Sequence, residues 1–600
     1  MQTITGIPAS RGIVIGPVHV LRWEVPEVRH RIIPDDAIPA EIQRLHSAIA
    51  RAKDRLHEVR GRAEKHAGDE EAAIFDVQAS MLDDADLLGE VESLIRQNIG
   101  VEKAFDLVML EWRQHFAKHA HAMLRERVGD LMDLHIRVLS ILLDLPDHDP
   151  VDLPPGANAI LITHDLTPSL TVQLDREAIA AIATDAGTRT SHVAILARSL
   201  GLPAVVGLRD AVERLHGHEL AILDGSSGLL IVDPTEQHLA AYRDRALREQ
   251  AYEMELTQLI AVEPLTLDGV RITLRANVDL PEEAEQASNS GAEGVGLMRT
   301  EFLVVGRAAM PDEDEQYREY SRVVQAFDGH PVVIRTFDLG GDKLPIGGYP
   351  AEPNPFLGWR AIRMCLDEPE LFKTQLRALL RAALHGDVRI MLPLIVSVAE
   401  VRQARVLLAE AAAELEARGV PFRHDIPLGV MVETPAAVIA ADTLVNDVAF
   451  FSVGTNDLVQ YTLAVDRGNA NLASRYTPLH PAVLRLIKRT VEIGHEAGLE
   501  VAVCGEMASQ PVMAFALIGL GVRELSVAPR SVPLVKQIVR GVSAEIAREA
   551  AAAAVAADTA QAAYDALSER LFSAFGDAPF LRHGLPVSVD GHTFESSAGP

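Results

Sequence analysis

The chain has 600 residues, of which 48% are hydrophobic and 24% charged, and its formal net charge is −29. That length exceeds a single core and calls for three or four domains, while the negative balance argues against nucleic acid or an anionic membrane as a partner. Two cysteines, Cys365 and Cys504, make no disulfide framework, and no apolar run long enough for a membrane span occurs, so a cytoplasmic protein is expected.

The opening Met1-Gln-Thr-Ile-Thr-Gly-Ile-Pro has neither the basic nor the apolar region of a signal peptide. Residues 3–22 alternate apolar and small residues around Gly6, Gly12 and Gly16, which reads as short strands. From Asp35 the pattern changes. Ala40–Glu64, Glu71–Asn98 and Lys103–Arg125 repeat apolar residues every three or four positions, which predicts a bundle of about four helices. Strand-like runs return at Ala159–Thr163, Ala178–Thr184, Ala204–Val206 and Leu220–Leu223. The expected layout is an α/β domain (1–34 and 146–234) with a helical subdomain (35–145) inserted into it. Thr167-Pro168 reads as a helix start. The polar stretch Glu236–Ile260 predicts a rigid linker helix (235–263) that Pro264 ends.

Beyond residue 270, apolar strands alternate with amphipathic helices. Eight strand candidates, Arg271–Val278, Gly294–Met298, Val332–Thr336, Val388–Pro393, Leu428–Val432, Phe450–Val453, Val501–Val503 and Glu524–Val527, predict a C-terminal TIM (β/α)8 barrel over 264–571. Ala544–Ala566 is a good helix former. The segment 572–600 lacks periodicity and reads as a tail.

Two places carry chemistry. The first is Asp185-Ala-Gly-Thr-Arg-Thr-Ser-His192, a strand end and polar loop running into a helix. Ser191 or Thr190 can cap that helix, and an imidazole at its N-terminus can accept a phosphoryl group whose charge the helix end favours. A lone histidine more often caps or packs, so the assignment depends on its company. The segment resembles the phosphohistidine domain shared by Enzyme I of the phosphoenolpyruvate–sugar phosphotransferase system, phosphoenolpyruvate synthase and pyruvate phosphate dikinase. Arg189-Thr-Ser-His192 matches the Enzyme I version. Thr188 departs from it, because many members have a second glycine there.

The second place is the C-terminal mouth of the predicted barrel, where active sites of this fold sit. Five strands run into charged or reactive groups: Arg299 with Glu301, Arg335 with Asp338 and Lys343, Glu433, Asn456 with Asp457 and Arg467, and Cys504 with Glu506. Glu433 and Asp457 offer the hard oxygens that Mg²⁺ prefers. Arg299, Arg335 and Arg467 can fork onto a carboxylate or phosphate. Any one group could be a strand-end salt bridge; five strands together point to a small polyanion such as phosphoenolpyruvate. A thiol at that mouth is mostly protonated at neutral pH and can protonate an enolate. Cys504, between a strand end and Gly505, suits that role, whereas Cys365, inside a helix, reads as a small hydrophobe.

Nearly the whole chain resembles the Enzyme I family, most specifically in Asn354-Pro-Phe-Leu-Gly-Trp-Arg-Ala-Ile-Arg, Val430-Met-Val-Glu-Thr-Pro-Ala-Ala and Gly454-Thr-Asn-Asp-Leu-Val-Gln-Tyr-Thr-Leu-Ala-Val-Asp-Arg-Gly-Asn. The resemblance implies phosphoenolpyruvate contacts at Arg299, Arg335, Asn456 and Arg467, with Arg360 and Lys343 near the phosphate. It implies Mg²⁺ on Glu433 and Asp457, Cys504 as proton donor, and Nε2 of His192 as the carrier. It further implies docking of the carrier protein HPr on the helical subdomain, and a homodimer formed through the barrel. A synthase or dikinase would need a nucleotide-binding module, and the chain has neither a P-loop nor room for an ATP-grasp domain ahead of His192. A regulator that only docks would lack the chemical groups, which are all present. A nitrogen-linked relative is the closer alternative; no sensor domain of that kind is expected ahead of the opening strands.

Overall fold

The computed structural model describes residues 1–578 except 24, 68, 119–121, 146–152, 154–155, 167–169, 171–177, 188–192, 195–196, 198–200, 305–309, 341–353, 468, 470–471, 473–474 and 577. The chain divides into two compact units, Met1–Ala251 and Tyr252–Pro600. The Thr167-Pro168 helix start lies outside the described residues.

In the first unit, eight strands make one sheet: β1 (Gln2–Thr5), β2 (Ile7–Ser10), β3 (Ile13–Leu21), β4 (Ala159–Thr163), β5 (Ile179–Thr184), β6 (Ala204–Val206), β7 (Leu220–Asp224) and β8 (Leu229–Val232). Their order is β1-β8-β7-β3-β4-β5-β6-β2. The stretch β3-β4-β5-β6 is parallel, and β4 is buried along its whole length, as its unbroken apolar run requires of a strand covered on both faces. β3 is long enough for two sets of partners: Ile13–Pro17 pair with β7 and Val18–Leu21 with β4. Strand β8 is absent from the predicted strands. Its four residues carry too little pattern alone, and it is a strand because β1 and β7 flank it.

Among the described residues, the insertion between β3 and β4 forms five helices where about four were expected: α1 (Ile38–Ala67), α2 (Asp69–Met81), α3 (Ala85–Ile95), α4 (Val101–Lys118) and α5 (Ala122–Leu142). The predicted segment Glu71–Asn98 is two helices. Asp84 breaks it, because its carboxylate accepts the N–H groups of Asp86 and Leu87 (2.9 and 3.2 Å) and so starts α3. Leu45, Leu56, Phe75, Leu87, Val91, Phe105, Leu134 and Val138 are among the residues of the bundle core. The helix Glu236–Gln258 follows the sheet. Its only buried residue is Leu239, consistent with its polar sequence.

The second unit holds eight parallel strands in a closed barrel: β9 (Thr273–Val278), β10 (Val295–Met298), β11 (Val332–Arg335), β12 (Val388–Leu392), β13 (Leu428–Val432), β14 (Phe450–Val453), β15 (Glu500–Val503) and β16 (Glu524–Val527). Closure comes from β16 pairing with β9, Glu524 opposite Thr273 through Val527 opposite Ala276. Inside the barrel, Leu297, Val333, Met391, Met431, Phe450 and Cys504 form one buried cluster. Arg275 on β9 pairs with Glu524 on β16 at 2.8 Å. The alanine-rich region is two helices, Ala544–Ala556 and Ala560–Phe575, because Thr559 caps the second by accepting from Ala562 N–H at 3.1 Å. Phe572 is therefore helical, and the predicted tail begins too early. Among the described residues, no helix is long and apolar enough to cross a membrane.

Candidate active site

The predicted mouth residues follow the C-terminal ends of their strands. Arg335, the last residue of β11, is 8% exposed. Its Nη2 donates to Glu301 Oε1 at 2.6 Å and its Nη1 lies 2.9 Å from Asp338 Oδ2. Asp338 Oδ1 in turn accepts from Arg360 Nη2 and Nε (2.6 and 3.1 Å). Arg360 Nη2 also reaches Asp457 Oδ2 at 3.3 Å, and Asp457 Oδ1 faces Arg467 Nη1 at 3.2 Å. The result is one continuous ion-pair chain, Glu301–Arg335–Asp338–Arg360–Asp457–Arg467. Burial alone would weaken the charge of Arg335. The carboxylates of Glu301 and Asp338 outweigh it and hold the guanidinium firmly protonated. The same contest at Arg360 is decided by Asp338 and Asp457.

Arg360 is fixed by its backbone. It forms an isolated antiparallel bridge with Gly340, which follows β11, and Ala361 N–H donates to Leu339 O at 2.9 Å. A side chain at Gly340 would collide with Arg360 Cβ, so only glycine allows this approach.

Glu433 follows β13 and is 2% exposed. Its Oε1 accepts from Leu394 N–H at 2.6 Å. Burial, and then the charges of Asp457 and Asp338, push its carboxyl above the usual range, against the pull of Arg335. Asp457 and Asn456 lie in the first turn of the helix Thr455–Leu463. Asn456 Oδ1 accepts from Glu506 N–H at 3.3 Å, which ties the ends of β14 and β15 together. Cys504 is 2% exposed, and its thiol lies 3.7 Å from Val453 O, which it can donate to. Burial pushes that thiol up to about 11. A side chain at Gly505 would strike Thr455 Oγ1, so Cys504 sits tightly against the start of that helix.

Arg299 stands slightly apart. It follows β10, is paired with Asp279 at 3.0 Å, and keeps a side-chain exposure of 35%. Cys365 is buried in the helix Ile362–Asp367, as expected for a small hydrophobe. Lys343 and His192 lie outside the described residues. On either side of His192 in the sequence, Asp185 Oδ1 and Oδ2 accept from Ala211 and Val212 N–H (2.7 and 3.1 Å), and Val193, Ala194 and Ala197 are buried against Leu161, Leu170 and Ile182. Among the described residues, no three His, Cys, Asp or Glu side chains cluster as a metal site.

Two residues of the ion-pair chain, Glu301 and Asp338, are strand-end acids to which the sequence alone assigns no role. Their signal is their place three positions past a barrel strand, beside a predicted arginine. Phe356 and Tyr461, which border the same cluster, give no signal beyond lying in conspicuous motifs.

The domain family described as "PEP-utilising enzyme, PEP-binding domain" matches residues 253–544. Those described as "PEP-utilising enzyme, N-terminal" and "PEP-utilising enzyme, mobile domain" match 5–127 and 155–228. A phosphoenolpyruvate-protein phosphotransferase of Geobacillus stearothermophilus is 41% identical over 552 residues, 91% of this chain and 94% of that one. The chain belongs to the phosphoenolpyruvate-protein phosphotransferase family. Other members are similarly near: that of Priestia megaterium is 40% identical over 90% of this chain and 94% of its own, and that of Staphylococcus epidermidis 38% over 95% and 99%. Among solved structures, an NMR solution structure of Enzyme I (nEIt) protein is 30% identical, covers 41% of this chain and 99% of that chain, and has a TM-score of 0.37.

Proposed function

We infer that the chain transfers the phosphoryl group of phosphoenolpyruvate to its own His192 and then to a histidine of an HPr-type carrier protein, releasing pyruvate. The observation that carries this reading is the ion-pair chain through Arg335, Arg360, Asp457 and Arg467, with Glu433 and a protonated thiol at the same barrel mouth.

Each group has a task set by its chemistry. Arg299, Arg335, Arg467 and the amide of Asn456 bind the substrate carboxylate and phosphate, with Arg360 and Lys343 on the phosphate side. Glu433 and Asp457 fit Mg²⁺: they are hard oxygen donors, and the repulsion that raises the Glu433 carboxyl is relieved by a cation. Two carboxylates suffice for an ion that takes its remaining ligands from phosphate oxygens and water. When bound, such an ion offsets charge on the phosphoryl oxygens. An imidazole nitrogen of His192 attacks phosphorus in line, the P–O bond to the enol oxygen breaks, and that electron pair becomes the enolate. The guanidinium groups offset the charge on the equatorial oxygens and on the enolate. Cys504 then gives its proton to the methylene carbon. A thiol raised to about 11 holds that proton at neutral pH, as a donor must.

One imidazole serving two partners requires its domain to move, and we expect the hinge around residues 233–263, the linker that includes the helix Glu236–Gln258. The helical bundle is the docking surface for the carrier, the barrel joins two copies in a homodimer, and the protein works in the cytoplasm, on the sugar-uptake branch of the system. The test is labelling with radioactive phosphoenolpyruvate and Mg²⁺, followed by addition of HPr. The label is expected on the full chain, to pass to HPr, and to vanish in His192→Ala. Persistent label in that variant would refute the assignment, and labelling by ATP alone would point to a synthase or dikinase instead.

A further inference from the structure

Near the mouth, Phe356 lies in the short turn Pro355–Leu357, with its ring half-buried. Arg360 Cζ stands 5.7 Å and Arg467 Cζ 6.0 Å from the centre of that ring. One aromatic ring therefore serves two guanidinium groups from different parts of the chain. The turn itself is held by Tyr461, on the helix that also carries Asp457. Tyr461 Oη donates to Phe356 O at 2.5 Å and accepts from Arg360 Nη1 at 3.3 Å.

The arrangement answers a physical problem. Arg360 is 5% exposed, so its charge has lost most of its water. Carboxylates can compensate, but each one occupies N–H donors that an incoming anion needs. A ring face compensates differently. It attracts the cation through its quadrupole and leaves the in-plane N–H edges untouched. Both guanidinium groups also meet at Asp457, Arg360 Nη2 at 3.3 Å and Arg467 Nη1 at 3.2 Å, and the shared ring offsets their mutual repulsion there.

We propose that Phe356, pinned by Tyr461, is a positioning residue that braces Arg360 and Arg467 for the phosphate of phosphoenolpyruvate. This rests on the phosphoenolpyruvate-binding reading above. The brace acts through the arginines and sets substrate affinity by pre-organising their donors.

The test measures phosphoenolpyruvate binding calorimetrically, with Mg²⁺, on the full chain carrying His192→Ala so that no transfer occurs. Absence of binding in that parent protein would sink the functional reading and not the brace. With the parent binding, Phe356→Leu keeps an apolar side chain of similar bulk but removes the π face. It is expected to weaken binding about 5- to 30-fold, as for two moderate cation–π contacts. Phe356→Tyr keeps the ring and is expected to stay within about threefold of the parent. Binding by the Leu variant as tight as the parent's overturns the proposal. So does a Tyr variant as weak as Leu in protein with an unchanged melting curve, because the loss would then follow shape and not the ring face.

Discussion

Asp338 is the residue whose loss should be most informative. It stands between two guanidinium groups and accepts from Arg335 Nη1 (2.9 Å), Arg360 Nη2 (2.6 Å) and Arg360 Nε (3.1 Å), with its side chain 5% exposed. Asp338→Asn keeps the shape and removes the charge. Deleting one partner of a buried pair costs about 3–5 kcal/mol. Arg335 retains Glu301 and Arg360 retains Asp457, so we expect somewhat less, about 2–4 kcal/mol. Unfolding entropy for a unit of about 320 residues is about 0.7 kcal/mol per kelvin, so the barrel transition should fall by about 3–6 °C. Phosphoenolpyruvate should reverse part of this loss, because the substrate supplies the negative charge that the two arginines lack. The assay is differential scanning calorimetry of the full chain carrying His192→Ala, with and without phosphoenolpyruvate and Mg²⁺. The ligand-induced rise should be at least about 2 °C larger in the Asp338→Asn protein, equivalent to a roughly tenfold gain in affinity. A variant that melts within about 1 °C of its parent, or gains no more than the parent from the substrate, would refute this account of the ion-pair chain.

Other expectations test the thiol, the bundle and the glycine contact. Cys504 should react slowly with iodoacetamide through neutral pH and accelerate only as pH approaches about 11, read by mass spectrometry of its peptide; half-maximal reactivity near pH 8 would contradict its burial. His135, fully buried on α5 with Nε2 3.1 Å from Asp106, is held down to about 4, chiefly by burial. The unfolded chain then binds more protons than the folded one below the ordinary value of 6.5, so this contribution to stability is complete above 6.5 and is lost as pH falls toward 4. Guanidinium unfolding at pH 7.5 and 5 should show a smaller acid loss for His135→Asn than for the parent, and equal losses would exclude the histidine as the cause. Gly505→Ala should cost about 1–3 kcal/mol and slow phosphoenolpyruvate consumption at least tenfold, because the added methyl displaces Cys504 or the helix bearing Asp457. Partial recovery of both by Thr455→Ala in the same chain would tie the effect to that contact, and additive losses would not.

The local features of this chain are legible in its sequence. Most barrel strands are short, mainly apolar runs, and every predicted run except Arg271–Val278 matches its observed strand to within one residue at both ends. The charged residues that follow them are fixed by chain connectivity to the C-terminal mouth. For the same reason Arg335, Glu433, Asp457 and Cys504 can be placed on one side of the barrel from sequence. Strand β8 escapes because four apolar residues acquire a strand identity only between β1 and β7. The break at Asp84 escapes because it depends on a side chain turning back onto N–H groups, where the apolar spacing alone continues.

Which charge meets which was decided by the tertiary structure. The alternation Glu301–Arg335–Asp338–Arg360–Asp457–Arg467 joins Arg360 to Asp457 across 97 positions of chain, and no spacing rule encodes such a contact. Phe356 becomes a shared ring for two arginines only once the chain folds and Tyr461 holds its turn beside them. The sequence determined what chemistry the chain contains and, through strand ends, on which rim of the barrel it gathers, because those are properties of consecutive residues. Barrel closure determined the pairing, the burial and hence the protonation of each group, because field and desolvation depend on neighbours in space.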